Sequence, residues 1–154
     1  MVNDWSGISG IIARGHESGA WSSCDSAFLF TQKILKLIDI PVYVQGGIGV
    51  HTAAACQAIG AAGVILDDQL WLMPESPLSL DWQQQISGSN GQEAILIGEQ
   101  LGWGCRVFSR PGLAGVKKLQ QVVAELELAV EEPKQQLEIW RQKAQSLLGW
   151  DESG

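Results

Sequence analysis

Basic residues are scarce. Ten lysines and arginines stand against seventeen acidic residues in 154, they never run beyond the Lys117-Lys118 pair, and the formal net charge is -7. A nucleic-acid surface replaces condensed counterions with clustered cations, so this composition excludes one. No apolar run approaches the ~20 residues that cross a bilayer, so no membrane partner is expected. Residues Met1-Val2-Asn3-Asp4-Trp5 lack the basic segment and apolar stretch of a secretory leader, which sets a cytoplasmic location as the expectation. Cysteine is equally sparse. Cys24, Cys56 and Cys105 are odd in number and far apart, which suits neither a disulfide framework nor a zinc site; they read as reduced, small apolar residues, and no metal is expected.

What is present suffices for one ordinary core, with 45% hydrophobic and 18% charged residues. The chain organises around Ile40-Pro41-Val42-Tyr43-Val44-Gln45-Gly46-Gly47-Ile48-Gly49-Val50-His51 and the small-residue run Thr52 to Gly60. This reads as a buried strand, a glycine loop and a helix. Such a junction can cradle a phosphate, because glycines admit close approach and amides at a helix start point outward. A ligand-free turn is the equal alternative. His51 starts the helix and can cap it or face solvent.

Upstream, Gly7 to Ala13 is a short apolar run, read as a strand, and His16-Glu17-Ser18-Gly19-Ala20-Trp21-Ser22-Ser23 is the loop at its end. A helix from about Asp25 to Ile38 follows, capped by Asp25 or Ser26. Downstream of the second helix, Gly63 to Leu66 is a third strand ending in Asp67-Asp68. Strand, helix and strand in sequence imply parallel pairing. Three strand ends, bearing Glu17, Gly46-Gly47 and Asp67-Asp68, then share one rim, where parallel α/β folds keep their sites. Ser79 to Ile86 reads as a short helix, and Glu93 to Ile97 with Cys105 to Ser109 as a hairpin. Gly112-Leu113-Ala114-Gly115 leads into a helix over Val116 to Val130, and Pro133 begins another to about Leu148, closed by Gly149. The pair reads as packing or linker elements, and the seven tryptophans mostly as core or interface fillers.

Together, His16-Glu17-Ser18-Gly19-Ala20-Trp21, Ile40 to Ile48, Gly60-Ala61-Ala62-Gly63-Val64 and Pro74-Glu75-Ser76 resemble the final part of the nitronate monooxygenase family. That family, once called 2-nitropropane dioxygenase, includes flavin-type enoyl-ACP reductases, and its members are FMN-binding (β/α)8 barrels. More narrowly, Gly15 to Gly112 resembles the amino-terminal module of cyanobacterial polyketide and glycolipid synthases. The resemblance implies an α/β fold: a partial flavin-barrel-like domain over residues 1–112, in which the last three βα units of a TIM-type barrel are followed by the hairpin, and a C-terminal helical extension (113–154).

The resemblance also implies that Gly46, Gly47, Ile48 and Gly49, with the strand end at Asp67 and Asp68, meet the FMN phosphate, and that the loop of His16, Glu17 and Trp21 meets flavin and substrate. Two departures bear on chemistry. The family's histidine falls at Trp21, and an indole can stack or donate one hydrogen bond but cannot exchange a proton near neutral pH. His16 could stand in only if the loop were rearranged. The family's Gly-Thr pair falls at Asp67-Asp68, whose carboxylates would repel a phosphate dianion at about 1 kcal/mol per solvated pair, unless one of them caps the following turn.

The implied function is an oxidoreductase-type FMN barrel of a polyketide or fatty-acid-type synthase with impaired or no catalysis. The alternative is an active FMN-dependent oxidoreductase acting on a small nitronate or acyl substrate. A full barrel needs about 250 residues, so the chain is expected to be a fragment of a longer one or to complete itself with other synthase domains or a second copy, as a homo-oligomer. The tail Gly149 to Gly154, which carries no terminal motif, leans toward the fragment.

Overall fold

The computed structural model describes residues 6–109, 114–129 and 132–148. The expectations for Gly112, Leu113, Val130 and Gly149 at helix ends, and for residues 1–5 and 150–154, lie outside the described residues. Backbone proximity divides the chain into two units, residues 1–89 and 90–154, with the hairpin and the helical pair in the second.

In the first unit, β1 (Ile11–Arg14), β3 (Val42–Gln45) and β4 (Gly63–Ile65) form a parallel sheet in the order β1-β3-β4. Their register pairs Arg14 with Gln45 and Gln45 with Ile65, so the three strands end level. The crossovers are α1 (Ala27–Leu35) and α2 (Val50–Ala58). Both helices differ from their expected bounds through their caps. Ser26 Oγ accepts from the Leu29 amide, which starts α1 two residues late, and Gly49 is the N-cap of α2, two residues early. Gly60, at φ +96°, takes the left-handed conformation that stops α2.

The core of this unit is Ala27, Val44, Ile48 and Cys56, with Ala53, Ala61 and Val64 packed on it. Small residues bring helix and sheet close: a Cβ on Gly15 would lie 2.2 Å from the Ala27 backbone. The strand at 42–45 is not buried on both sides. Its period of two directs Val42 and Val44 to the helices while Tyr43 is 40% exposed, and the neighbouring Ile12 is 53% exposed. A further short strand, β2 (Ala20–Ser22), lies within the segment read as loop, and α3 (Leu80–Ser87) is capped by Ser79.

In the second unit, β5 (Ala94–Ile97) and β6 (Gly104–Phe108) form the expected antiparallel hairpin, with Ala94 opposite Phe108 and Ile97 opposite Cys105. Its long connection is ordered by a 3-10 turn, Glu99–Leu101, set between left-handed Gly98 and Gly102. Helices α4 (Ala114–Leu128) and α5 (Pro133–Leu148) pack together, burying Val116, Leu119, Val123 and Leu126 from one and Trp140 and Ala144 from the other. Trp140 is fully buried, donates Nε1–H to the Trp103 carbonyl at 2.9 Å, and fits because Gly98 has no side chain. The Cys105 thiol, enclosed in this unit, is pushed up to about 12 by burial. Burial also raises Cys56 in the first unit. All three cysteines are free thiols, with Cys24 exposed.

Candidate functional site

The level strand ends put three connections on one rim, and hydrogen bonds tie them together. From β1 to α1, Gly15 N–H and Ser18 Oγ–H both donate to the Gln45 carbonyl, at 3.1 and 2.8 Å. Arg14 donates to the Gly19 carbonyl at 2.6 Å, which holds the loop before Ala20. Ala20 has φ +60°, the left-handed region, and among the described residues no other non-glycine does. Trp21 follows it, half-buried on β2. His16 is half-buried too, and its backbone amide donates to the Asp25 carbonyl at 2.8 Å.

Glu17 is committed to structure. Its Oε2 accepts from the Ala27 amide at 2.8 Å, placing the carboxylate at the positive end of α1. Its stem lies over Gly47, where a Cβ would stand 3.2 Å from Glu17 Cβ and Cγ. Gly46 is equally constrained, since a Cβ there would meet Ser18 Oγ at 2.5 Å. Both glycines have positive φ, +107° and +61°. Close packing against the β1–α1 loop therefore requires this glycine pair, with or without a ligand.

The next turn is laced internally. Gly49 N–H donates to Thr52 Oγ1 at 2.6 Å, and that hydroxyl donates to the Gly47 carbonyl at 3.0 Å. Across the sheet, Asp67 caps a 3-10 turn over Asp68–Leu70: its Oδ1 accepts from the Asp68 amide at 2.8 Å, while its Oδ2 accepts from Gln45 Nε2. Gln69 closes the lattice, taking the Asp67 amide at 3.1 Å and donating to the Ile48 carbonyl at 2.9 Å.

The two aspartates titrate in opposite directions. Burial opposes the Asp67 charge, but hydrogen bonds from the Asp68 side chain, Gln45 and the Asp68 amide, with the nearby Arg14 guanidinium, outweigh it and hold the carboxyl below its usual range. Asp68 is pushed up to about 6, first by loss of water around its carboxyl and then by the Asp67 carboxylate beside it.

A cavity of about 260 Å³ opens beside the glycine loop, between the starts of α1 and α2, and includes Glu17, Phe28, Gly47, Ile48, His51 and Thr52 in its wall. Of the residues read as a site from sequence, the rim gathers Glu17, Gly46, Gly47, Ile48, Gly49, Asp67 and Asp68 on adjoining connections. His16, Trp21, Gly49, Asp67 and Asp68 take no part in the cavity wall. Sequence reasoning missed Arg14, Ser18, Gln45, Thr52 and Gln69, which hold the rim in place. Thr52, three residues past Gly49, fits the spacing of a helix cap and was readable. The others act across strands, and nothing local marks them. Among the described residues, no group of three or more His, Cys, Asp or Glu side chains could hold a metal.

A flavin phosphate would need free amides and local positive charge on this rim. The amides of Gly49, Asp67 and Asp68 are taken by Thr52, Gln69 and the Asp67 carboxylate. The Asp67 and Asp68 carboxylates both lie in the field of Arg14. At the Asp67–Asp68 turn the residues present do not fit a phosphate dianion.

No family model matches the chain, and no curated protein matches it. Among solved structures it is similar to FabK from Thermotoga maritima, with a TM-score of 0.63 and 20% identity over 94% of this chain and 57% of that one. It is likewise similar to the M276A mutant of the same protein, with a TM-score of 0.62 and 22% identity over the same shares. The chain thus spans little more than half the length of the structures it matches. Its fold is the α/β fold of part of a FabK-type barrel, as the parallel sheet, the level strand ends and the likeness across 94% of its length agree.

Proposed function

We propose that the chain is a flavin-barrel-type module, of the enoyl reductase and nitronate monooxygenase sort, which serves in a polyketide or fatty-acid-type synthase of the cyanobacterial kind without flavin turnover. The likeness to FabK supports the scaffold. The observation that carries the loss of turnover is the rim itself. An indole stands at Trp21, where the family resemblance calls for an imidazole, and the neighbouring Glu17 carboxylate is engaged at the start of α1. The indole cannot take a proton from a substrate, and Glu17 Oε2 is occupied by the Ala27 amide as the loop stands. In this reading the module works by docking to other domains of the synthase or to a second copy of itself.

The test is direct. Purified chain is mixed with excess FMN, passed through a gel-filtration column and read for flavin absorbance near ~450 nm. Colourless protein is the expected result. Protein that retains stoichiometric flavin would overturn the reading and favour an active FMN-dependent oxidoreductase acting on a small nitronate or acyl substrate. Light scattering on the same sample tests the docking arm, with a dimer or larger species expected for self-association.

A further inference from the structure

The internal satisfaction of the rim points further than a missing cofactor. A phosphate bound between two parallel-strand loops accepts from backbone amides and is balanced by nearby positive charge. On this rim one group already has both kinds of partner. The Asp67 carboxylate accepts from the Asp68 amide at 2.8 Å through one oxygen and from Gln45 Nε2 through the other, with Arg14 of the adjoining strand end in its field. Gln69 then pins the same turn to the glycine loop through the Ile48 carbonyl at 2.9 Å. Gln45 and Arg14 stand in register on neighbouring strands, so the anion sits over the sheet's end rather than out in solvent.

We propose that the Asp67 carboxylate is a built-in anion, seated on the strand-end rim where a phosphate would bind and fixing the β3 and β4 connections as a bound phosphate otherwise would. The inference rests on the flavin-barrel reading above and deepens it: an exchangeable ligand has been replaced by a covalently attached one. Removing that carboxylate frees the Asp68 amide and the Gln45 side chain, takes one negative charge out of the field of Arg14, and creates a site for inorganic phosphate.

The experiment compares four proteins: the unaltered chain, Asp67→Asn, Asp67→Gly with Asp68→Thr, and Asp39→Asn. Asp39 precedes β3 at the other end of the strand, so its neutral variant controls for net charge alone. Each is titrated with inorganic phosphate by calorimetry at low ionic strength, with sodium chloride of matched ionic strength as the blank. The double variant is expected to bind phosphate at least about tenfold more tightly than the unaltered chain, Asp67→Asn to fall between them, and Asp39→Asn to match the unaltered chain. The two Asp67 variants are also expected to melt lower than the unaltered chain and to regain part of the difference with phosphate but not chloride. If the double variant does not fold, Asp67→Asn decides alone, because it keeps the side chain's shape and removes its charge. Equal phosphate affinity in all four proteins overturns the built-in anion and leaves the proposed function standing. Flavin retained by the unaltered chain would overturn both that function and the built-in anion.

Discussion

Replacing Ala20 with glycine should stabilise the protein, against the usual direction of such a change. An L-residue in the left-handed region pays about 1–2 kcal/mol for the approach of its Cβ to the following carbonyl. Ala20 sits there at φ +60°, because Arg14 grips the Gly19 carbonyl on one side and β2 begins on the other. Glycine removes that cost but returns about 0.5–1 kcal/mol of chain entropy to the unfolded state. The balance is a gain of about 0.5–1 kcal/mol, or roughly 1–4 °C in Tm for a chain of this size. Urea unfolding followed by circular dichroism should show a higher midpoint at unchanged slope. Ala20→Val should move the midpoint the other way by more than about 1 kcal/mol, since a branched Cβ makes the same conformation worse. A destabilisation of about 1 kcal/mol in the glycine variant would show that Ala20 is unstrained, and that this loop is not held as described.

Gly46→Ala should cost about 2–4 kcal/mol, measured by chemical unfolding, because its Cβ would stand 2.5 Å from Ser18 Oγ and 2.7 Å from the Ser18 nitrogen at a positive φ. In the second unit, Trp140→Ala should cost about 3–5 kcal/mol, whereas Trp140→Phe, which loses chiefly the bond to the Trp103 carbonyl, should cost about 1–2. Asp68 sets a pH dependence. Its carboxyl is pushed up to about 6 in the folded chain, above the ordinary 3.8, so its favourable contribution is complete below pH 4 and is lost as pH rises through 6. Asp68→Asn should therefore stabilise the chain above pH 6, by no more than about 1 kcal/mol given its exposure to screening water, read as a higher Tm, and change nothing below pH 4. For Asp67 the sign is reversed. The stability it contributes is present above pH 3.8 and is lost as pH falls through its depressed value, so Asp67→Asn should matter most near neutrality.

Periodicity was enough to read the strands, both crossover helices, the hairpin and the C-terminal helices, because apolar spacing and glycine breaks are local signals. It could not read β2, where three residues lie inside a polar stretch. Nor could it show which side of β3 stays bare, since Val42, Tyr43 and Val44 are all apolar and only the partner helices separate them. The convergence of three connections was legible from the order of strands and the direction each must run. The roles of the side chains were less so. Glu17 looks like a chemical candidate in sequence, yet it caps a helix ten residues on, and no spacing rule covers that reach. Asp67 could be foreseen as a turn cap, but its bond to Gln45 depends on a register between strands twenty-two residues apart.

The bare side of the first unit's sheet carries a consequence for handling the protein. Parallel sheets are normally sheltered above and below. Here Ile12 and Tyr43 lie open on one surface, and β1 and β4 are the margins of the sheet among the described residues. Such margins present ready backbone donors and acceptors to any extended strand nearby. Mutual repulsion from seven net negative charges on each molecule opposes uncontrolled association through these margins. Solubility should therefore fall sharply as salt is added or as pH approaches 4.7, well before the fold itself is lost.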